Sequence, residues 1–250
     1  MLKILISGAL GHVGRKITEV CKTSDKYSVV CGVDRITDSG DFPIFTDFDD
    51  VSIIPDIIID FSNPSVLEGL LKFATKNNIP CILATTGYSN EQIQKIKEAS
   101  KTIPVFFTAN MSLGINLLCS LVKKASAVLG DGFDVEIIEK HHNQKIDAPS
   151  GTALMLANAI NNINEDKYYY EFDRHSKRVK RSPNEIGIHS VRGGTIVGEH
   201  DVIFAGKDEV LTLSHSAFSK EVFVSGALKA ADFLIEKPAG LYDMNDVLSL

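Results

Sequence analysis

The chain has 250 residues, of which 44% are hydrophobic and 23% charged, with a formal net charge of -6. That is long enough to bury a core without disulfide or metal staples, and it leaves room for one large or two modest domains. The acidic balance argues against a nucleic-acid partner, and no uninterrupted apolar run approaches the ~18–20 residues of a membrane span.

Met1 to Ile6 is shorter than the apolar region of a signal peptide and runs into a glycine turn without a cleavage site. It reads as the first strand of a cytoplasmic protein. From Ile4 to about Ala109, short apolar runs alternate with helical patterns. Strands are expected at Lys3–Ser7, Ser28–Val33, Ile57–Asp60, Cys81–Ala84 and Val105–Phe107. Between them Val13, Ile17, Val20 and Cys21 recur at helical spacing, as do Val66, Leu70, Phe73 and Ala74 after the Asn63-Pro64 start. Ser89 and Gln92 have capping-box form ahead of Ile93 and Ile96. The loop over residues 36–55 holds little helical pattern. Strands alternating with helices imply an α/β unit with a doubly wound parallel sheet. The cysteines at 21, 31, 81 and 119 sit among aliphatic residues without zinc-site spacing, as buried free thiols do in a reducing compartment.

The second half has a different rhythm. A helix with Leu117, Leu118, Leu121, Ala125 and Val128 on one face leads to a strand at Phe133–Glu139 and a helix from about Thr152 to Ile163. Strands at Glu185–Val191, Thr195–Phe204 and Glu209–Ser214 follow without intervening helices, so an α+β unit with a mixed or antiparallel sheet is expected. The basic run within Tyr168–Asn184 reads as a solvated loop, or as a loop that attracts an anionic ligand. A last helical pattern runs from Val224 to Ile235. The domains are expected to be 1–112 and 113–219, with the segment of about 220–250 packing back on the first.

After the first strand comes Gly8-Ala9-Leu10-Gly11-His12-Val13-Gly14, then a helix. A pyrophosphate needs close backbone approach and gains from the free N–H groups at a helix start, so this turn suits NADH or NADPH. The spacing is not the G-x-G-x-x-G fingerprint, and glycines that merely let strand and helix pack would look alike. Asp34 and Arg35, at the end of the second strand, stand where an acid meets the adenosine ribose. Arg35 could pair with the extra phosphate of NADPH. The ends of the later strands, Asp60-Phe61-Ser62, Ala84-Thr85-Thr86-Gly87 and Thr108-Ala109-Asn110-Met111, fall on the same rim.

The richest stretch runs from Glu139 through His141-His142 and Lys145 to Asp147-Ala148-Pro149-Ser150-Gly151-Thr152. Hydroxyls and N–H groups entering a helix make a carboxylate site, and either histidine or Lys145 can carry charge or move a proton. A metal is not expected, because adjacent histidines in an extended segment face opposite ways and no third ligand follows.

Here the chain resembles the 4-hydroxy-tetrahydrodipicolinate (dihydrodipicolinate) reductases. The likeness rests on that string together with Gly8–Gly14, Asp60-Phe61-Ser62, Thr85-Thr86-Gly87, Ser112-Leu113-Gly114-Ile115-Asn116, Val191-Arg192-Gly193-Gly194 and Gly240–Met244. The resemblance implies a Rossmann-type domain plus a mixed-sheet domain, a small dicarboxylate substrate and a homotetramer. By the same resemblance Gly8, Ala9, Leu10, Gly11, His12 and Val13 would hold the pyrophosphate, and Asp34 and Arg35 the adenosine ribose. Ala84, Thr85, Thr86, Thr108, Ala109, Asn110 and Met111 would line the nicotinamide end. His141 and Lys145 match the proton-handling positions, and His142, Lys145, Ser150, Gly151 and Thr152 the substrate-binding ones. Ala84 replaces an expected glycine, Met111 an aromatic, and Lys220 an arginine. Another two-domain reductase, such as an amino-acid dehydrogenase, and a non-catalytic NAD(P) redox sensor are the competing readings.

Overall fold

The computed structural model describes every residue except Ser39, inside the 36–55 loop, and Leu250, at the end of the 220–250 segment. The chain forms two compact units, one of Met1–Ser112 with the chain from Glu221 onward, the other Leu113–Lys220.

The first unit opens with β1 (Leu2–Ser7), α1 (His12–Lys22), β2 (Tyr27–Val33), β3 (Ile44–Phe45) and β4 (Ile57–Asp60). It continues through α2 (Leu67–Asn77), β5 (Cys81–Leu83), α3 (Asn90–Ala99) and β6 (Pro104–Phe107). The second unit holds α4 (Leu113–Leu129), β7 (Asp134–His141), α5 (Gly151–Asn162), β8 (Tyr169–Glu171), β9 (Glu185–Arg192), β10 (Gly198–Ala205) and β11 (Val210–Ala217). The chain then returns to the first unit with α6 (Glu221–Leu234), β12 (Gly240–Tyr242) and α7 (Met244–Leu248).

The first sheet runs β12-β6-β5-β4-β1-β2-β3, with every neighbour pair parallel. Its central strands are continuous aliphatic runs because both faces are covered, and every residue of β4 is buried. Chain order reverses between β1 and β4, which opens a crevice at the carboxyl ends of those strands. Local signals set the helix starts: Asn63 accepts from the N–H of Ser65, and both arms of the Ser89–Gln92 capping box are made.

The second sheet is mixed, in the order β11-β10-β7-β9-β8. β10 pairs antiparallel with β7 and β11, whereas β9 pairs parallel with β7 and β8. Its core joins Ile115, Leu118 and Val122 of α4 to Leu156 and Ile160 of α5 and to Ile137, Ile188 and Val202 of the sheet.

Three local expectations need correcting. In α4 the buried side chains are Ile115, Asn116, Leu118, Cys119, Val122 and Ser126, while Leu117, Leu121 and Val128 are exposed. The helix is apolar on more than one face, so periodicity cannot choose; packing against α5 and β11 does. With its following turn, Leu113–Gly132 is long and apolar enough to cross a membrane by length and composition alone.

The basic segment is not simply solvated. It contains β8, and Arg181 binds Asp134, Glu136 and the Val135 and Glu185 carbonyls, at 2.6–2.9 Å. Arg174 pairs with Glu185 and Lys177 with Glu171, so carboxylates of the fold consume this positive charge. Finally, β10 begins at Gly198 rather than Thr195, because Gly194 turns the chain with φ +49° and Asn143 N–H donates to its carbonyl.

Candidate active site

The first unit carries one candidate site, at the turn between β1 and α1. Gly8 adopts φ +82°, and a Cβ there would lie 2.5 Å from the Phe61 carbonyl oxygen. A Cβ on Gly14 would lie 2.2 Å from the carbonyl oxygen of Gly8. These two glycines therefore answer to the protein's own packing. Gly11 differs. It is exposed and is the N-cap of α1, yet offers no side chain to the helix's first N–H groups. Those donors and the positive end of the helix dipole suit a phosphate. A cavity of about 680 Å³, lined in part by Gly8, Leu10, Gly11, Asp34, Arg35 and Ser62, adjoins the turn and falls in the size range of cofactor sites. The residues present fit a dinucleotide.

Around that cavity, the Leu10 N–H donates to Asp34 Oδ2 at 2.8 Å, and the Arg35 N–H to Oδ1 at 2.7 Å. The Arg35 side chain is exposed, as is His12, and Val13 is half-buried. Ala9 is buried, its methyl occupying the space a Gly32 side chain would need. Further along the rim, Ala84 is half-buried, and Thr86 and Ala109 are exposed. Thr108 is buried and donates to the Asn110 carbonyl at 3.2 Å; the Asn110 side chain accepts from Ser112 N–H at 2.8 Å, and Met111 is buried. Thr85 is buried too, its hydroxyl donating to Asp60 at 2.6 Å and accepting from Ser62 N–H at 2.8 Å.

Asp60 is expected from the sequence as one of the polar groups on this rim. It is fully buried and held by the hydroxyls of Ser62, Thr85 and Tyr88, and burial pushes its carboxyl above the usual range against those hydrogen bonds.

The second unit carries its own cluster of candidate residues, on the inner face of the mixed sheet. Alternation along β7 turns Val135, Ile137, Glu139 and His141 inward, and along β10 Phe204, Val202, His200 and Gly198. Register places His200 opposite Glu139 and Arg192 opposite His141. One face thus changes from aliphatic to ionisable within two residues of each strand.

Glu139 has no exposed surface, and both its oxygens are engaged. Arg192 donates to each at 2.7 Å, His141 Nδ1 lies 2.6 Å from Oε2, and the Ser150 N–H donates to Oε1 at 3.1 Å. Burial alone would raise this carboxyl, but the hydrogen bonds from Arg192 and His141 outweigh it and hold it at about 2. His200 is buried beside it, its ring edge-on to His141 at 5.2 Å between centroids and its Nε2 3.0 Å from Ser150 Oγ. Burial first, then His141, pushes the His200 imidazole down to about 4.

Ser150 caps α5, its Oγ accepting from Ala153 N–H at 3.1 Å. Gly151 is exposed with nothing within 4 Å of where its Cβ would be, and Thr152 is half-buried. In the connecting loop Lys145 pairs with Asp147 at 2.9 Å and keeps 22% of its side chain exposed, while His142 is half-buried. No group of three metal-ligating side chains occurs among the described residues.

A phosphate-ready helix start at the switch point of a parallel sheet, with an acid after the second strand, belongs to the nicotinamide-dependent oxidoreductases of Rossmann type. Within that class, residues 2–111 match the family described as "Dihydrodipicolinate reductase, N-terminus" and residues 114–248 match "Dihydrodipicolinate reductase, C-terminus". The chain belongs to the dihydrodipicolinate reductase family. The 4-hydroxy-tetrahydrodipicolinate reductase of Caldanaerobacter subterraneus subsp. tengcongensis is 54% identical, over 99% of this chain and 98% of that protein. The enzyme of the same name from Clostridium novyi is 48% identical, also over 99% and 98%. Among solved structures, a dipicolinate-bound dihydrodipicolinate reductase from Paenisporosarcina sp. TG-14 matches with a TM-score of 0.80 at 25% identity, covering 97% of each chain.

Glu139, Arg192 and His200 received no function from the sequence. A signal for Glu139 was there: period two on a strand puts it on the same face as His141. Arg192 and His200 reach that face only through strand pairing.

Proposed function

We propose that this protein reduces 4-hydroxy-tetrahydrodipicolinate to tetrahydrodipicolinate, in lysine and diaminopimelate synthesis, using either NADH or NADPH. Family membership over both halves carries the reading. The reaction takes up one hydride and one proton and releases one water. The reduced nicotinamide supplies the hydride when bound.

The roles of the chain's own residues follow from their chemistry. The turn from Gly8 to Val13 would hold the pyrophosphate with backbone N–H groups. Asp34 would accept from the adenosine ribose and Arg35 would face a phosphate on it. Ala84, Thr85 and Thr86 with residues 108–111 would shape the nicotinamide end. Thr85 would do so through its backbone, its hydroxyl being committed to Asp60.

In the second unit, Lys145 and the start of α5 at Ser150, Gly151 and Thr152 would neutralise the substrate carboxylates, with His142 as a further donor. The exposed, open approach at Gly151 supports this reading. Lys145 or His141 would supply the proton. The first unit would then be the cofactor domain, and the second the domain for substrate and assembly. A cytoplasmic homotetramer is the expected form. The exposed Val210 and Leu211 of β11 and Leu117, Leu121 and Val128 of α4 favour self-association.

The deciding experiment makes the substrate in situ by a coupled reaction and follows NADH and NADPH oxidation. Substrate-dependent oxidation of either supports the assignment. Oxidation of neither would overturn it.

A further inference from the structure

The arrangement of Glu139 asks for an explanation beyond charge pairing. A carboxylate with no exposed surface needs its charge balanced and its lone pairs filled, or it destabilises the fold. Arg192 alone meets that need with its two-pronged contact. Yet the same carboxylate also takes the His141 ring at 2.6 Å and the Ser150 N–H at 3.1 Å. Three segments, the end of β7, the end of β9 and the start of α5, therefore meet on one side chain.

The chemistry of the contacts settles which hydrogen sits where. Arg192 can only donate, and it donates to both carboxylate oxygens, so Glu139 is an acceptor throughout. His141 Nδ1 must then be the protonated nitrogen, and proton exchange is left to Nε2. On that side the ring meets Gly198, where a Cβ would come within 3.1 Å of Nε2. Glycine at 198 is thus the residue that keeps Nε2 clear of a side chain.

We infer that Glu139 is a positioning residue: braced by Arg192, it fixes His141 with Nδ1 protonated and Nε2 as the working nitrogen, and it ties that ring to the helix start at Ser150. This rests on the reading of His141 as a proton-handling group. With Nδ1 held by the carboxylate, a proton can pass at Nε2 without moving the ring. His200 faces the same ring from β10 and is pushed toward neutrality by its burial, so it adds no charge beside that ring. Arg192 is the cation paired with Glu139, and the same guanidinium donates to the Asp147 carbonyl.

Glu139→Gln is nearly isosteric and inverts the pattern. Arg192 donates at both positions. Oε1 also meets the Ser150 N–H, which can only donate, whereas Oε2 meets an imidazole nitrogen that can reverse its role, so the glutamine oxygen belongs at Oε1. Its amide group then faces His141 and donates to Nδ1, which moves the ring proton to Nε2. Nitrogen-15 spectra of histidine-labelled protein, with the His141 signals assigned by their loss in His141→Asn, should show Nδ1–H in the parent and Nε2–H in Glu139→Gln. Turnover should fall about 10²–10⁴-fold, with NADH affinity unchanged.

A parent enzyme whose neutral His141 carries its proton on Nε2 overturns the inference, and this needs no variant to fold. So does a Glu139→Gln protein that keeps either the parent tautomer or near-parent turnover. Gly198→Ala gives an independent check: it should lower turnover with the tautomer unchanged, and parental turnover there would refute Nε2 as the working nitrogen. A parent that oxidises neither cofactor on substrate addition would instead defeat the functional reading, because the tautomer is read without turnover.

Discussion

The backbone N–H of Leu10 donates to the carboxylate of Asp34 at 2.8 Å, joining the glycine turn after β1 to the acid after β2. The acid proposed to meet the ribose therefore also shapes the turn proposed to meet the pyrophosphate. Asp34→Ala should weaken NADH and NADPH alike, by the ~1.5–3 kcal/mol typical of a hydrogen bond to a charged group. Arg35, exposed and one residue on, should matter more to NADPH than to NADH. The parent should use the two cofactors with efficiencies within about 30-fold, ~2 kcal/mol. Fluorescence titration of Arg35→Ala with each cofactor decides the matter; an equal loss for both removes Arg35 from phosphate recognition.

Thr152 sits in the first turn of α5, beside the open backbone of Gly151. Thr152→Val keeps the shape and deletes the hydroxyl. The Michaelis constant for substrate should rise while NADH affinity stays as it was, since the cofactor is assigned to the other unit. Selective loss of NADH binding would contradict that division.

Lys145 is half-buried against Asp147, on the loop between His141 and Ser150. Lys145→Arg keeps the charge but offers a very poor acid. It should bind substrate within about tenfold of the parent and lose about 10²–10⁴ in turnover, as a missing general acid does. His141→Gln ranks the two candidates: a smaller loss makes the histidine an orienting group, and an equal or larger loss makes it the donor. Near-normal turnover in Lys145→Arg would confine the lysine to binding.

His200 is buried and neutral, with an imidazole pushed down to about 4 by its burial. Below its ordinary value of 6.5 the unfolded chain takes up a proton that the folded chain refuses until about pH 4. Stability should therefore fall as pH drops through that window, by an amount on the order of 3 kcal/mol, and His200 should add no further slope below it. Glu139 acts lower: its depressed carboxyl stabilises the fold above its ordinary 4.5, and that contribution disappears as pH falls toward 2. Urea unfolding at pH 7 and pH 4.5 measures the first window, and His200→Gln should flatten it. A parent equally stable at both values would show that His200 is not held neutral.

Much of this protein could be read along the chain, because the signals involved are local. Period-two and period-3.6 patterns placed most elements, the capping box at Ser89 stands as written, and the order of strands and helices implied the parallel sheet. The segment from His141 to Thr152 is contiguous, so its candidate residues could be picked out together. Tertiary structure decided what depends on partners far away. It chose which apolar face of α4 is buried, because a helix greasy on several sides has no preferred stripe until α5 and β11 arrive. It turned the basic residues Arg174, Lys177 and Arg181 into partners of Glu171, Glu185, Asp134 and Glu136, since charge alone does not say what will neutralise it. It brought Arg192 and His200 to Glu139 through the register of β9 and β10 on β7, a relation set by strand pairing across more than fifty residues of chain.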